Sequence, residues 1–176
     1  MLTEDTTLVV IDVQERLVPA IHNAGNMVTN VKKCILGSGI LGLPVVYTEQ
    51  YPQGLGSTVN SLEEELAGAQ CFEKTSFSCC SSSGFLDSIR SKHVLLCGIE
   101  THVCVYQTAN ELMDNGFKVT IAEDAVSSRN SLDHNRAISN LEKRGVFIST
   151  FECLYMGLLR DSKHPSFKEI SAVLKL

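Results

Sequence analysis

The sequence predicts an α/β fold: a parallel sheet built from βα repeats, with helices on both of its faces. Three observations carry this. Short β-branched and leucine-rich runs alternate with longer runs of helical period. The short runs are almost continuously apolar rather than alternating, as in strands buried on two faces. Glycine and proline breakers stand between the two kinds of run.

Six strands are expected, over residues 7–11, 44–48, 71–74, 94–97, 118–122 and 145–150, the third being the weakest pattern. Between the first two, residues 27–41 place Val28, Val31, Ile35 and Leu36 at helical spacing, and the helix stops at Gly42-Leu43-Pro44. A short helix is expected over 85–89, and another over 103–113 ending at Gly116. A further helix over 133–143, with basic residues in its last turn, ends at Gly145. Near the C-terminus Ser166 and Glu169 match a capping box, followed by an apolar stripe of Phe167, Ile170, Val173 and Leu174. That stripe either covers the sheet or docks on another subunit. The longest irregular stretch, 49–58, leaves the carboxyl end of the second strand, and in open α/β sheets the ligand crevice lies outside those strand ends.

One domain spanning residues 1–176 accounts for the length, and 44% hydrophobic residues suffice for a sizeable core. A formal net charge of −5 offers no basic footprint for nucleic acid, and no window nears the roughly 18 apolar residues that span a bilayer. The expected partner is a small-molecule substrate, with neither nucleic acid nor membrane. Seven cysteines, several inside apolar runs, point to a reducing compartment rather than a disulfide scaffold. The polar first seven residues carry no targeting pattern, so a cytoplasmic location is expected; the C-terminal Leu-Lys-Leu is only loosely like a peroxisomal tripeptide.

The chemistry concentrates at three strand ends. The segment from Val94 to Val105 runs from an apolar strand through a glycine turn into a helix whose first turn carries Cys104. A helix N-terminus has unpaired N–H groups and partial positive charge, which favour a thiolate and can hold an oxyanion. Asp12 ends the first strand as a candidate base. Lys74 ends the third, where an ammonium would lower a thiol pKa. Each has a plainer reading taken singly: Asp12 as a helix cap or partner of a structural cation, Lys74 as a solvated surface charge, Cys104 as a small buried hydrophobe. Cys34, Cys71, Cys97 and Cys153 read as inert core residues. Cys79 and Cys80 are adjacent, and a disulfide between neighbours would be strained. His102 does not face Cys104 on a helix, and His22, His93, His134 and His164 read as surface residues. No spacing matches a zinc site or a dinucleotide loop, so no metal and no cofactor is expected.

Ile11-Asp12-Val13-Gln14 after the first strand, Lys74 after the third, and Gly98-Ile-Glu-Thr-His-Val-Cys-Val105 after the fourth together resemble the isochorismatase-like cysteine hydrolase family. The loop Thr48-Glu-Gln-Tyr-Pro-Gln-Gly-Leu-Gly56 further resembles that family's isochorismatase-domain-containing protein 2 subgroup. The resemblance implies a three-layer αβα fold with a six-stranded parallel sheet flanked by helices, a homo-oligomer, and Asp12, Lys74 and Cys104 as a catalytic triad. It also implies an oxyanion hole from the N–H groups of Glu100 and Cys104, and a cis peptide between Ile99 and Glu100. Gln14, Glu49, Tyr51, Phe77 and Thr101 are expected to supply the polarity of the substrate pocket.

Two departures narrow the chemistry. Nicotinamidases of the family bind a metal through an Asp-x-His pair and a further His on the loop after the second strand, where this chain has Thr48-Glu49-Gln50-Tyr51. Isochorismatases proper lack the cysteine, so Cys104 argues against cleavage of a vinyl ether. The leading expectation is a metal-independent cysteine hydrolase acting on an amide or related C–N bond. An oligomeric scaffold with a vestigial site is the alternative, and a thiol redox sensor a third.

Overall fold

The computed structural model describes residues 4–176; the first three residues, part of the stretch in which no targeting pattern is expected, lie outside the described residues. Six strands form one all-parallel sheet: β1 (Thr6–Ile11), β2 (Val45–Gln50), β3 (Gln70–Lys74), β4 (His93–Ile99), β5 (Lys118–Ser127) and β6 (Phe147–Ser149). Their order is β3-β2-β1-β4-β5-β6. Strand order therefore reverses between β1 and β4, the place where such sheets hold their ligands.

Helices α1 (Ala24–Ile40), α2 (Pro52–Leu55), α3 (Asn60–Glu63), α4 (Phe85–Ser88), α5 (Tyr106–Asp114), α6 (Ser131–Arg144), α7 (Phe151–Leu159) and α8 (Phe167–Val173) accompany the sheet, with 3-10 turns over Val18–Ala20 and Cys79–Ser81 and a turn of π-helix over Thr101–Val105. Alternate residues of β1 divide the core, because successive side chains on a strand point to opposite faces. Leu8 and Val10 join α1, α7 and α8 through Val31, Ile35, Phe151, Tyr155, Ile170 and Val173. Val9 and Ile11 face α4, α5 and α6 through Phe85, Ala109, Leu112, Ile138 and Leu141. The apolar stripe of α8 thus covers this chain's own core.

The strand pattern agrees with expectation to within a few residues, except that β5 runs on to Ser127 past a break in register between Leu96 and Gly98 of β4. Several local expectations need correction. α1 begins three residues earlier than its apolar pattern, and the segment 49–58 contains α2. Ser166 forms no capping box; its side chain accepts no bond, and its N–H donates to His164 Nδ1 at 3.1 Å. α7 was not expected. Its first N–H, of Phe151, is capped by Asp124 Oδ1 of β5 at 2.9 Å, a donor–acceptor pair 27 residues apart.

Gly98 holds the switch point closed. It pairs with Ile11 across β1 and β4 at a φ of +110°, and an added Cβ would sit 2.1 Å from the Ile11 carbonyl oxygen. Only glycine allows that backbone approach.

Candidate active site

Three strand ends place the three expected residues together. Asp12 follows β1 in the left-handed region, φ 52°, a conformation that Asp tolerates better than most residues. It is fully buried, and its two oxygens are both occupied. Oδ1 accepts from Thr48 Oγ1 at 2.7 Å, and Oδ2 accepts from Lys74 Nζ at 2.6 Å. Lys74, the last residue of β3, also donates to Gln50 Oε1 at 2.7 Å and reaches the carbonyl oxygens of Ser76 and Phe77 at 3.3 Å. Four acceptors around three N–H bonds fix the ammonium in place.

Cys104 lies in the π-helical turn after β4, 7% exposed. The peptide bond between Ile99 and Glu100, at the entrance to that turn, is cis. The protonation state differs from the expectation drawn from the helix terminus. Burial first, then the charge of Asp12 and its role as an acceptor, push the Cys104 thiol pKa up, and Lys74 opposes them without prevailing. The raised pKa favours a thiol beside the Asp12 carboxylate at neutral pH, because desolvation and Asp12 together penalise the anion more than Lys74 favours it. For Lys74 burial pulls the ammonium down, but Asp12, Cys79 and Cys104 outweigh it, and its pKa is raised.

A second thiol belongs to the cluster. Cys79 is fully buried, with Sγ 3.8 Å from Thr48 Oγ1 and its N–H donating to Thr108 Oγ1 at 3.0 Å. Burial and then Asp12 push it up to about 12. Thr48 therefore joins Asp12 to Cys79. Cys80 is half-buried and unpaired with its neighbour, while Cys71 and Cys153 are exposed rather than in the core as expected; Cys34 and Cys97 are buried.

The residues expected to line the pocket separate. Gln14 is buried and clamps the loop after β2: Oε1 accepts from Gln50 N–H at 2.7 Å, and Nε2 donates to the carbonyls of Gln50 and Gly56 at 3.0 and 2.7 Å. Glu49 alternates with Thr48 and Gln50 along β2 and so faces the other side of the sheet, where Oε1 accepts from the N–H and hydroxyl of Thr58 at 2.7 and 2.8 Å. Tyr51 and Phe77 are 54% and 53% exposed and touch the cluster through their main chains, Tyr51 N–H donating to the Lys74 carbonyl at 2.8 Å. Thr101 is fully buried, its hydroxyl 2.9 Å from His134 Nδ1.

Sequence reasoning missed Thr48, Gln50, Cys79 and His134. For Thr48 and Gln50 the signal was available, since a period of two puts both on one face at the end of β2. His22 is exposed as expected, whereas His134 is half-buried, and both line a polar cleft of about 590 Å³ beside β5 and α1. Among the described residues no group of three or more His, Cys, Asp or Glu side chains is arranged to hold a metal ion, and no helix is long and apolar enough to cross a membrane.

Comparison with known proteins gives the family context. A family profile described as Isochorismatase domain matches residues 6–153. Isochorismatase domain-containing protein 2 of Danio rerio is 41% identical over 176 residues, covering 98% of this chain and 88% of its own. Isochorismatase domain-containing protein 1 of the same fish is 43% identical over 171 residues, covering 94% of this chain; the chain spans only 59% of that relative's length. The solved structure of MAR1 ribonuclease from Caenorhabditis elegans superposes with a TM-score of 0.92 at 38% identity, covering 97% of this chain and 90% of the other.

Proposed function

Because the chain belongs to the isochorismatase-domain family, we propose that it is a cysteine hydrolase that cleaves an amide or related C–N bond of a small molecule without a metal. The observation that carries this reading is the sealed Asp12–Lys74 pair set against the buried Cys104 thiol at one edge of the sheet. Asp12 takes the thiol proton as Sγ attacks the carbonyl carbon, and the N–H groups of Glu100 and Cys104 receive the oxyanion. The C–N bond breaks, the amine leaves with the proton held by Asp12, and a thioester remains on Cys104. Water then attacks the thioester and passes a proton to Asp12, which returns it to Sγ as the C–S bond breaks, releasing the acid and restoring the thiol and the carboxylate. Lys74 keeps Asp12 oriented and balances the negative charge that the reaction moves through the site. A metal role at the loop after β2 is disfavoured by the donors themselves, since Gln50 Oε1 is bonded to Lys74 and Glu49 Oε1 to Thr58.

Acrylamide, a small electrophilic amide, tests the reading. Mass spectrometry is expected to find Cys104 modified ahead of the exposed Cys71 and Cys153, with Asp12→Asn abolishing that preference. Modification of the exposed thiols first would overturn the proposal, because an unactivated buried thiol reacts last. The ribonuclease name of the C. elegans relative supports a second reading, phosphodiester cleavage in RNA. A formal net charge of −5 works against phosphate-backbone binding. RNA degradation that disappears in Cys104→Ser would favour this second reading over amide hydrolysis.

A further inference from the structure

Three consecutive residues of the turn that leads to Cys104 are tied by their side chains to the segment after β5 and to α6. Glu100 Oε2 accepts from Arg129 N–H and Nε at 2.9 and 3.0 Å, Thr101 Oγ1 meets His134 Nδ1 at 2.9 Å, and His102 Nδ1 meets Ser128 Oγ at 2.9 Å. The three are not equivalent. The Arg129 side chain is 64% exposed, and solvent weakens such a pair. Thr101 alone is fully buried, so its hydroxyl has no water to turn to and depends on its partner.

His134, in the first turn of α6, is half-buried, and its ring forms part of the wall of the 590 Å³ cleft. The charged and titratable groups sharing that wall are His22, Lys33 of α1, and Glu123 and Asp124 of β5. Burial lowers the His134 pKa, His22 adds to this, and Glu123 opposes it. A neutral imidazole protonated on Nε2 presents a lone pair at Nδ1, and in that tautomer the Thr101 hydroxyl is the donor. The bond thereby ties Thr101, in the turn that carries Cys104, to the first turn of α6.

We propose that His134 is a positioning residue for the active site: by accepting the Thr101 hydroxyl from the cleft side, it fixes the turn that carries Cys104 and the N–H groups around it. This rests on the reading of Cys104 as the nucleophile. Nothing in the sequence marks His134 for the role, since it lies 33 residues from Thr101.

The experiment combines acrylamide labelling of Cys104 with hydrogen exchange across residues 99–105, which reads the turn whether or not Cys104 reacts. Thr101→Val and His134→Ala are each expected to slow Cys104 labelling about tenfold and to speed exchange of the turn, and the double variant is expected to be no worse than either single one, as for two halves of one interaction. His134→Asn, which can place an amide oxygen near the position of Nδ1, is expected to stay within about threefold of the wild type. Added imidazole, entering through the open cleft, is expected to restore His134→Ala. Cys34 and Cys97, buried away from the site, report folding and are expected to stay unlabelled. Unaltered exchange and labelling in His134→Ala, or effects of the single variants that multiply in the double one, would overturn the inference. Equal damage in the Ala and Asn variants with no rescue by imidazole would show packing rather than hydrogen bonding, and would also overturn it. Should the wild type fail to label at Cys104 while His134→Ala still loosens the turn, the hydrolase reading falls and the positional coupling stands.

Discussion

Lys74 Nζ and Asp12 Oδ2 lie 2.6 Å apart with side chains 1% and 0% exposed, an ion pair shut away from water at the edge where strand order reverses. Such a pair contributes little net stability when intact, but removing one partner strands a buried charge. Lys74→Met is expected to destabilise the fold by about 3–5 kcal/mol, read from urea denaturation midpoints. Adding Asp12→Asn to it is expected to recover part of the loss. A double variant less stable than Lys74→Met would show that the two charges are not coupled.

The pH dependence of stability follows from the buried groups. Burial raises the folded-state pKa of Cys104 and of Tyr155, pushes Cys79 and Tyr47 up to about 12, and pushes Cys80 up to about 11. Above about pH 9 the unfolded chain releases these protons while the folded one keeps them, so stability falls as pH rises. The contribution is fully present below the unfolded values. The raised pKa of Lys74 acts in the same direction, its contribution being lost only as pH rises through the folded value. Each fully buried thiol adds a slope of up to about 1.4 kcal/mol per pH unit, so Cys79→Ala is expected to flatten the decline in denaturation midpoints above pH 9.

Reactivity should show the same signature. Alkylation of Cys104 by iodoacetamide, which reads the thiolate, is expected to keep rising past pH 9 and not to level off where a free thiol does, near its ordinary pKa of about 8.5. A plateau near neutral pH would mean that the turn's N–H groups outweigh burial and Asp12.

Gly98→Ala is expected to cost about 3 kcal/mol, because the methyl would meet the Ile11 main chain and the residue would hold a positive φ. Gly39→Ala is the matching control. A Cβ there meets nothing within 4 Å, and replacing glycine in helix α1 is expected to stabilise by about 0.5–1 kcal/mol. Thermal or chemical denaturation of the two variants checks both signs.

Asp124→Ala is expected to cost about 1 kcal/mol through loss of the cap on Phe151, and to speed hydrogen exchange at the start of α7. Asp124→Asn, which keeps an acceptor oxygen, is expected to retain most of the stability.

The strand ends were legible because the signal for each is local. An apolar run closing on Asp12, on Lys74 or at Gly98 before the Cys104 turn names both a strand and its terminal polar residue. Parity along β2 was legible too, but choosing between Glu49 and the pair Thr48 and Gln50 required knowing which face of the sheet the site occupies. The start of α7 was not legible, since its cap comes from Asp124 rather than from a neighbouring Ser, Thr or Asn. Cys71 and Cys153 look like core residues in apolar runs, yet the packing of the layers leaves both exposed.

By itself the sequence determined the class of fold, the run of strands, and the three residues delivered to the carboxyl edge of the sheet, because hydrophobic period and strand termini are properties of short segments. Only the tertiary structure decided the state of those residues. Burial and the Asp12 carboxylate together raise the Cys104 pKa at a point reached by strands far apart in the chain. Thr48, Gln50 and Cys79 join the Asp12–Lys74 cluster, and His134 meets Thr101, for the same reason: hydrogen bonds of this kind depend on distances between elements, which no spacing along the chain records.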